Sequence, residues 1–166
     1  MKLRSLLIVL ISACALASPA AGGKKSHKKY EYVQVNRFDV QQGVDFPVDY
    51  QLKMVEDLIN QLGKIKGVRQ VLREGETLPQ GQPVLLITGT VTKFKKGSQA
   101  ARYLAPGAGA TVIATQVKCY DAATKELLLD HKVQGSVRIG VMGGKSEGAT
   151  NGIAKGVAKM AEDNFF

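Results

Sequence analysis

The stretch that decides the fold is "ATVIATQVKCYDAATKELLLDHKVQGSVRI", residues 110–139. Its first part places Thr111, Ile113, Thr115, Val117 and Cys119 on one side of an extended chain. Its second part does the same with Leu127, Leu129, His131, Val133, Gly135, Val137 and Ile139. Alternation at period two marks a strand with one buried and one wet face. "DAATKE" between them is a tight turn, so the two strands read as a β-hairpin. A sheet, covered on one side, therefore lies at the centre of the domain.

Outward from the hairpin, "VLLITGTVTKF" (residues 84–94) carries the strongest strand signal in the chain. "KKGSQAARYLAPGAG" follows it, a loop long enough to be conspicuous. Two further strands are expected in "YEYVQVNRFDV" (30–40) and "GVRQVLR" (67–73). Between them Val48, Leu52, Val55, Leu58, Ile59 and Leu62 recur at helical spacing and define one face. Asp45 or Asp49 serves the first turn of this helix, and Gly63 stands where it should end.

A last helix is expected over about residues 147–163, rich in small side chains: Ala149, Gly152, Ala154, Gly156, Ala158 and Ala161, with Ile153, Val157 and Met160 between them. Gly148, Gly152 and Gly156 fall every four residues, a spacing that would pair helices in a membrane. Lys155, Lys159, Glu162 and Asp163 make the segment too polar to span one, so the smooth face is expected against the sheet.

The order β-α-β-β-β-β-α implies an α+β domain: a mostly antiparallel sheet of about five strands with two helices packed on one face. A chain of 166 residues, 45% of them hydrophobic, suits one such domain over residues 30–166. Trp is absent and Gly numbers 18, which favours tight turns over large aromatic anchors.

Lys2 and Arg4 precede the apolar run "SLLIVLISACALA". A basic start, a short hydrophobic stretch and small residues have the layout of a secretory signal, expected over residues 1–21. "ISAC", ending at Cys14, resembles a bacterial lipobox, which would make Cys14 the lipid-modified first residue. "ALA" (15–17) competes as an ordinary signal-peptidase site, with others in the following "SPAAG". Of the net charge of +9, four lysines sit in "KKSHKK" within residues 22–29, read as a basic, flexible linker. The linker could lean on an anionic surface or cell-wall polymer. No aromatic-basic motif accompanies it, so nucleic acid is not an expected partner.

Catalytic patterns are thin. "GVMGGKSEG" (140–148) sits between strand and helix, but a phosphate-binding loop needs Gly five residues before Gly144, and Ile139 stands there. His131 shares an apolar strand face and has no nominated nucleophile, and Asp121 and Asp130 form no carboxylate pair. Cys119 reads as a buried thiol, since Cys14 is the only other cysteine and would be lipidated or cut away. Neither cofactor nor metal ligand set is indicated.

Gly97, Arg102, Tyr103, Gly107, Gly109, Asp121, Thr124, Gly143 and Gly144 together resemble the pattern of the domain-of-unknown-function 4410 family, bacterial exported proteins and lipoproteins. The family has Gly after the Asp-x-x-Thr of the hairpin turn, and Lys125 replaces it here, so a positive φ at that residue would be strained. Gly107, Gly109, Gly143 and Gly144 are read as turn glycines. The architecture this implies is similar to small envelope domains of the TolB amino-terminal type, which bind other envelope proteins.

The resulting expectation is a periplasmic or membrane-anchored envelope protein, without enzymatic activity, that binds another envelope protein or a cell-wall component. The candidate contact residues are Lys95, Lys96, Arg102, Tyr103 and Leu104. The alternative is a soluble periplasmic or secreted domain that binds or converts a small molecule, using the open sheet face or the 140–148 loop.

Overall fold

The computed structural model describes residues 30–97, 110–137 and 148–166. Strands β1 (Tyr32–Val35), β2 (Asp39–Val40), β3 (Gln70–Arg73), β4 (Val84–Lys95), β5 (Thr111–Asp121) and β6 (Leu127–Val137) form one sheet. Helices α1 (Val48–Leu62) and α2 (Gly148–Phe165) complete the α+β domain. The strand order is β3-β1-β4-β5-β6, with β2 pairing β4 beyond the end of β1.

The sheet is mixed rather than mostly antiparallel. β4, β5 and β6 form the expected antiparallel meander. β1 lies parallel to both β3 and β4, and β2 is parallel to β4. The cause is connectivity: α1 returns the chain to the end from which β1 started, so β3 runs alongside β1 in the same direction, as in any βαβ unit.

The first expected strand is split in two, which makes six strands. β1 and β2 are offset against β4 by one extra residue in the Asn36–Phe38 turn. Phe38 is buried there against Gly89, where a Cβ would lie only 2.7 Å from the ring. Gly89 thus admits the aromatic ring that breaks the strand.

α1 ends at Gly63 as expected, and Asp49 lies in its first turn. Pro47, with φ −61°, occupies the cap position, and no side chain caps the helix. The buried row is Tyr50, Met54, Leu58 and Leu62, rotated from the expected face. Val48 and Leu52 are 58% and 60% exposed. Both rows have helical spacing, and the row carrying the larger side chains packs inward. α1 also meets α2 through polar bonds: Thr150 Oγ1 donates to Asp57 Oδ2 at 2.6 Å, and Gln61 Nε2 to Asn151 Oδ1 at 3.0 Å.

α2 rests on β6 through its small residues, as the four-residue glycine spacing suggested. The Cβ built on Gly152 comes within 3.5 Å of the Gly135 backbone. A Cβ on Gly135 would meet Ile153 N at 2.7 Å and Ala149 O at 2.8 Å. At Gly135 the helix backbone approaches so closely that only hydrogen fits. The core lies between this helical layer and the sheet, with Val33, Ile87, Ile113, Val117, Met54, Leu58, Ile153 and Val157 fully buried.

Candidate interaction surface

The domain has two poles along the strand direction. At one, Tyr30 precedes β1 and its Oη donates to Asp121 Oδ2 at 3.1 Å. Asp121 Oδ1 accepts the amides of Ala123 and Thr124, both at 3.0 Å, and so holds the β5–β6 turn. This is the turn hydrogen bonding expected of an Asp at that position. Burial, then the Asp121 hydrogen bond, pushes the Tyr30 hydroxyl well above the usual tyrosine pKa. Lys125 closes the turn with φ 61°, the one non-glycine with positive φ among the described residues. Phe165, near the end of α2, packs edge-on against Tyr30 with centroids 6.0 Å apart.

The opposite pole holds the end of β4, the start of β5, the end of β6 and the N-termini of both helices. Phe94 of β4 packs against Phe46 and Tyr50, with centroids 5.1 and 5.2 Å away. This aromatic cluster fixes the end of β4 beside the start of α1. From it β4 runs on to exposed Lys95 and Lys96, while α1 presents Val48 and Leu52. The Gly97 amide donates to Thr111 Oγ1 at 3.0 Å, closing the base of the loop that joins β4 to β5.

Of the candidate contact residues, the structure thus places Lys95 and Lys96 together at this pole. Arg102, Tyr103, Leu104, Gly107 and Gly109 lie outside the described residues, as do Gly143, Gly144 and Cys14. Sequence reasoning missed Val48 and Leu52, which it assigned to the core. Their signal was present: Tyr50, Met54, Leu58 and Leu62 form a second apolar row at four-residue spacing on the same helix.

Elsewhere, Cys119 is fully buried, and desolvation pushes its thiol up to about 12. His131 stands exposed on the edge strand β6. Open hollows among the described residues include the following two. One, of about 390 Å³, is lined by Arg37, Asp39, Gln51 and Glu74, whose polar groups are partly spent on one another: Arg37 donates to Gln51, and Glu74 accepts the Arg37 amide. The other, of about 640 Å³, runs between β6 and α2. No three His, Cys, Asp or Glu side chains among the described residues gather to hold a metal ion. No helix among them is long and apolar enough to cross a membrane.

A mixed sheet under two helices, with exposed Val48 and Leu52 at one pole and exposed Leu127 at the other, defines a small α+β domain. The chain belongs to the family described as Domain of unknown function (DUF4410), whose profile matches residues 49–156. No curated protein matches the sequence.

Among solved structures, the chain is similar to a PelC dodecamer from Paraburkholderia phytofirmans, at 13% identity and a TM-score of 0.58, over 87% of this chain and 95% of that one. A point variant of the PelC dodecamer from the same organism aligns at 16% identity and a TM-score of 0.53, over 78% and 85% of the two chains. Protein XCC0632 from Xanthomonas campestris aligns at 8% identity and a TM-score of 0.50, over 82% of each. At these identities the likeness is one of fold.

Proposed function

We propose that this protein is a cell-envelope binding module, tethered through the chain that precedes residue 30, and that it engages another envelope protein with its opposite pole. The observation that carries this reading is the polar layout. Tyr30, where any tether joins the domain, sits at one end of the strands, and Val48, Leu52, Lys95 and Lys96 sit at the other. In this reading exposed Val48 and Leu52 supply apolar contact, and Lys95 and Lys96, at the same end of the strands, supply basic contact to the partner.

In this reading residues 1–21 are the export signal, with Cys14 as the lipid attachment point, and residues 22–29 are the linker. Arg102, Tyr103 and Leu104, which follow Lys95 and Lys96 in the sequence, contribute contacts to the same partner in this reading. The exported character of the family's members, as the sequence resemblance implied it, supports this assignment.

Two measurements test it. The intact mass of the mature protein from its own envelope, beside a Cys14→Ser variant, reads the tether: a chain beginning at Cys14 with added acyl mass is expected. Site-specific photo-crosslinking from position 52, with position 34 on the opposite sheet face as control, reads the surface. A defined adduct at 52 that is lost in a Lys95→Glu/Lys96→Glu variant is expected. Equal crosslinking from 34 and 52 would refute the assigned surface.

A further inference from the structure

We propose that the free edge of β6 pairs antiparallel with β6 of a second copy of this chain, about a two-fold axis at His131. Among the described residues, β6 has a strand partner on one side only, β5. Its 11 residues contain no proline, and its exposed Leu127 lies on the same strand. An edge left unpaired among the described residues is a template for another strand, and its charges, Asp130 and Lys132, decide which strand is accepted.

The backbone pattern says which groups the edge offers. The Ala122 amide bonds Val84 O on β4, whereas the Asp121 amide bonds Glu126 O on the β6 side. Alternation then directs the odd-numbered amides and carbonyls of β5 to β6, where they meet Leu129, His131 and Val133. Asp130, Lys132 and Gln134 are left with their backbone groups turned outward. A symmetric antiparallel pair joins outward-facing residues to one another, so its axis must fall on a single residue.

The charges select which residue. An axis at Asp130 or at Lys132 sets a like charge opposite itself. An axis at Val133 sets Asp130 and Lys132 against Ser136 and Gln134. An axis at Leu129 leaves Asp130 against Leu128, and it brings Lys132 to Glu126 only past the first residue of the strand. An axis at His131 sets Asp130 opposite Lys132 of the second copy, twice over, and Leu129 opposite Val133. On the helix-covered side an open groove runs along this edge, lined by Leu129, Gly156 and Met160 together with His131, Lys155, Lys159, Asp163 and Asn164, and it leaves the edge accessible to a second strand. Strand complementarity therefore selects the occupant, and the groove leaves room for it.

The test is the association state of the full chain by sedimentation equilibrium, for wild type, Asp130→Lys, Lys132→Asp and the double exchange. Wild type is expected to dimerise. Each single reversal turns two attractive cross-strand pairs into repulsive ones and should weaken the dimer by about tenfold or more. The double exchange should restore it.

In a Cys14→Ser background, His131→Cys should also form a disulfide between copies, because the axis residues face each other about 4.5 Å apart at Cα. A wild-type chain that stays monomeric at its highest soluble concentration overturns the proposal. So does an assembly that neither single reversal weakens, or a double exchange no tighter than the singles.

Discussion

Lys125→Gly should stabilise the protein, although it deletes a side chain and adds a flexible residue. Lys125 holds φ 61° because its amide must reach Asp121 O, at 2.9 Å, while the Asp121 amide reaches Glu126 O, at 3.0 Å. The left-handed conformation costs a residue with a Cβ about 1–2 kcal/mol, and glycine does not incur it. Against that, glycine gives up more chain entropy on folding, about 0.5–1 kcal/mol. The difference is a gain of about 0.5–1 kcal/mol, or roughly 2–4 °C in Tm for a domain of this size.

Equilibrium urea unfolding of wild type, Lys125→Gly, Lys125→Asn and Lys125→Ala provides the assay. The midpoint should rise for Gly and, by less, for Asn, which tolerates this conformation. It should stay put for Ala, which removes the charge and keeps the strain. A Gly variant no more stable than the Ala variant would refute the reasoning.

Gly135→Ala should cost about 1–3 kcal/mol by urea unfolding, since the new methyl meets backbone atoms of α2 that cannot rotate away. Gly152→Ala, facing it at an ordinary 3.5 Å, should be neutral or stabilise by up to about 1 kcal/mol through helix propensity. Tyr30→Phe should cost about 1–2 kcal/mol at neutral pH by deleting the bond to Asp121. Because the folded tyrosine titrates above its unfolded value of about 10, its contribution is complete below that pH and fades as pH rises past it. The same variant should therefore flatten the alkaline loss of stability, as read from thermal melts across that range. Cys119, buried and with its thiol pushed up to about 12, should resist a thiol-specific chromogenic reagent until the domain unfolds; stoichiometric labelling of the folded chain would contradict the burial.

The hairpin was readable because β5 and β6 bury one face only, so period two is printed in their residues. Lys125 was readable for a related reason: a turn geometry demands a conformation, and the family's glycine marks where. Strand direction was not readable in β1. "YVQV" carries the same alternation whether its neighbour runs parallel or antiparallel, and the crossover through α1 decides which.

α1 shows the other limit. Its apolar residues cover two adjoining stripes, and periodicity alone cannot say which one faces the sheet. Tyr50 and Met54 fill the space under the helix, which leaves Val48 and Leu52 outside. The candidate surface was half legible in consequence: its lysines were singled out from the loop they introduce, while its apolar part was hidden inside a helix that looked like core.

The Tyr30–Asp121 contact also sets how the domain would bear tension. A pull that enters at residue 30 and leaves at the end of β4 runs along the strands, through β1, which is flanked on both sides by β3 and β4. Force in that direction shears the ladders, so many hydrogen bonds resist at once instead of opening one after another like a zip. The Tyr30–Asp121 bond stands at the entry to that path and ties it across to the far end of β5.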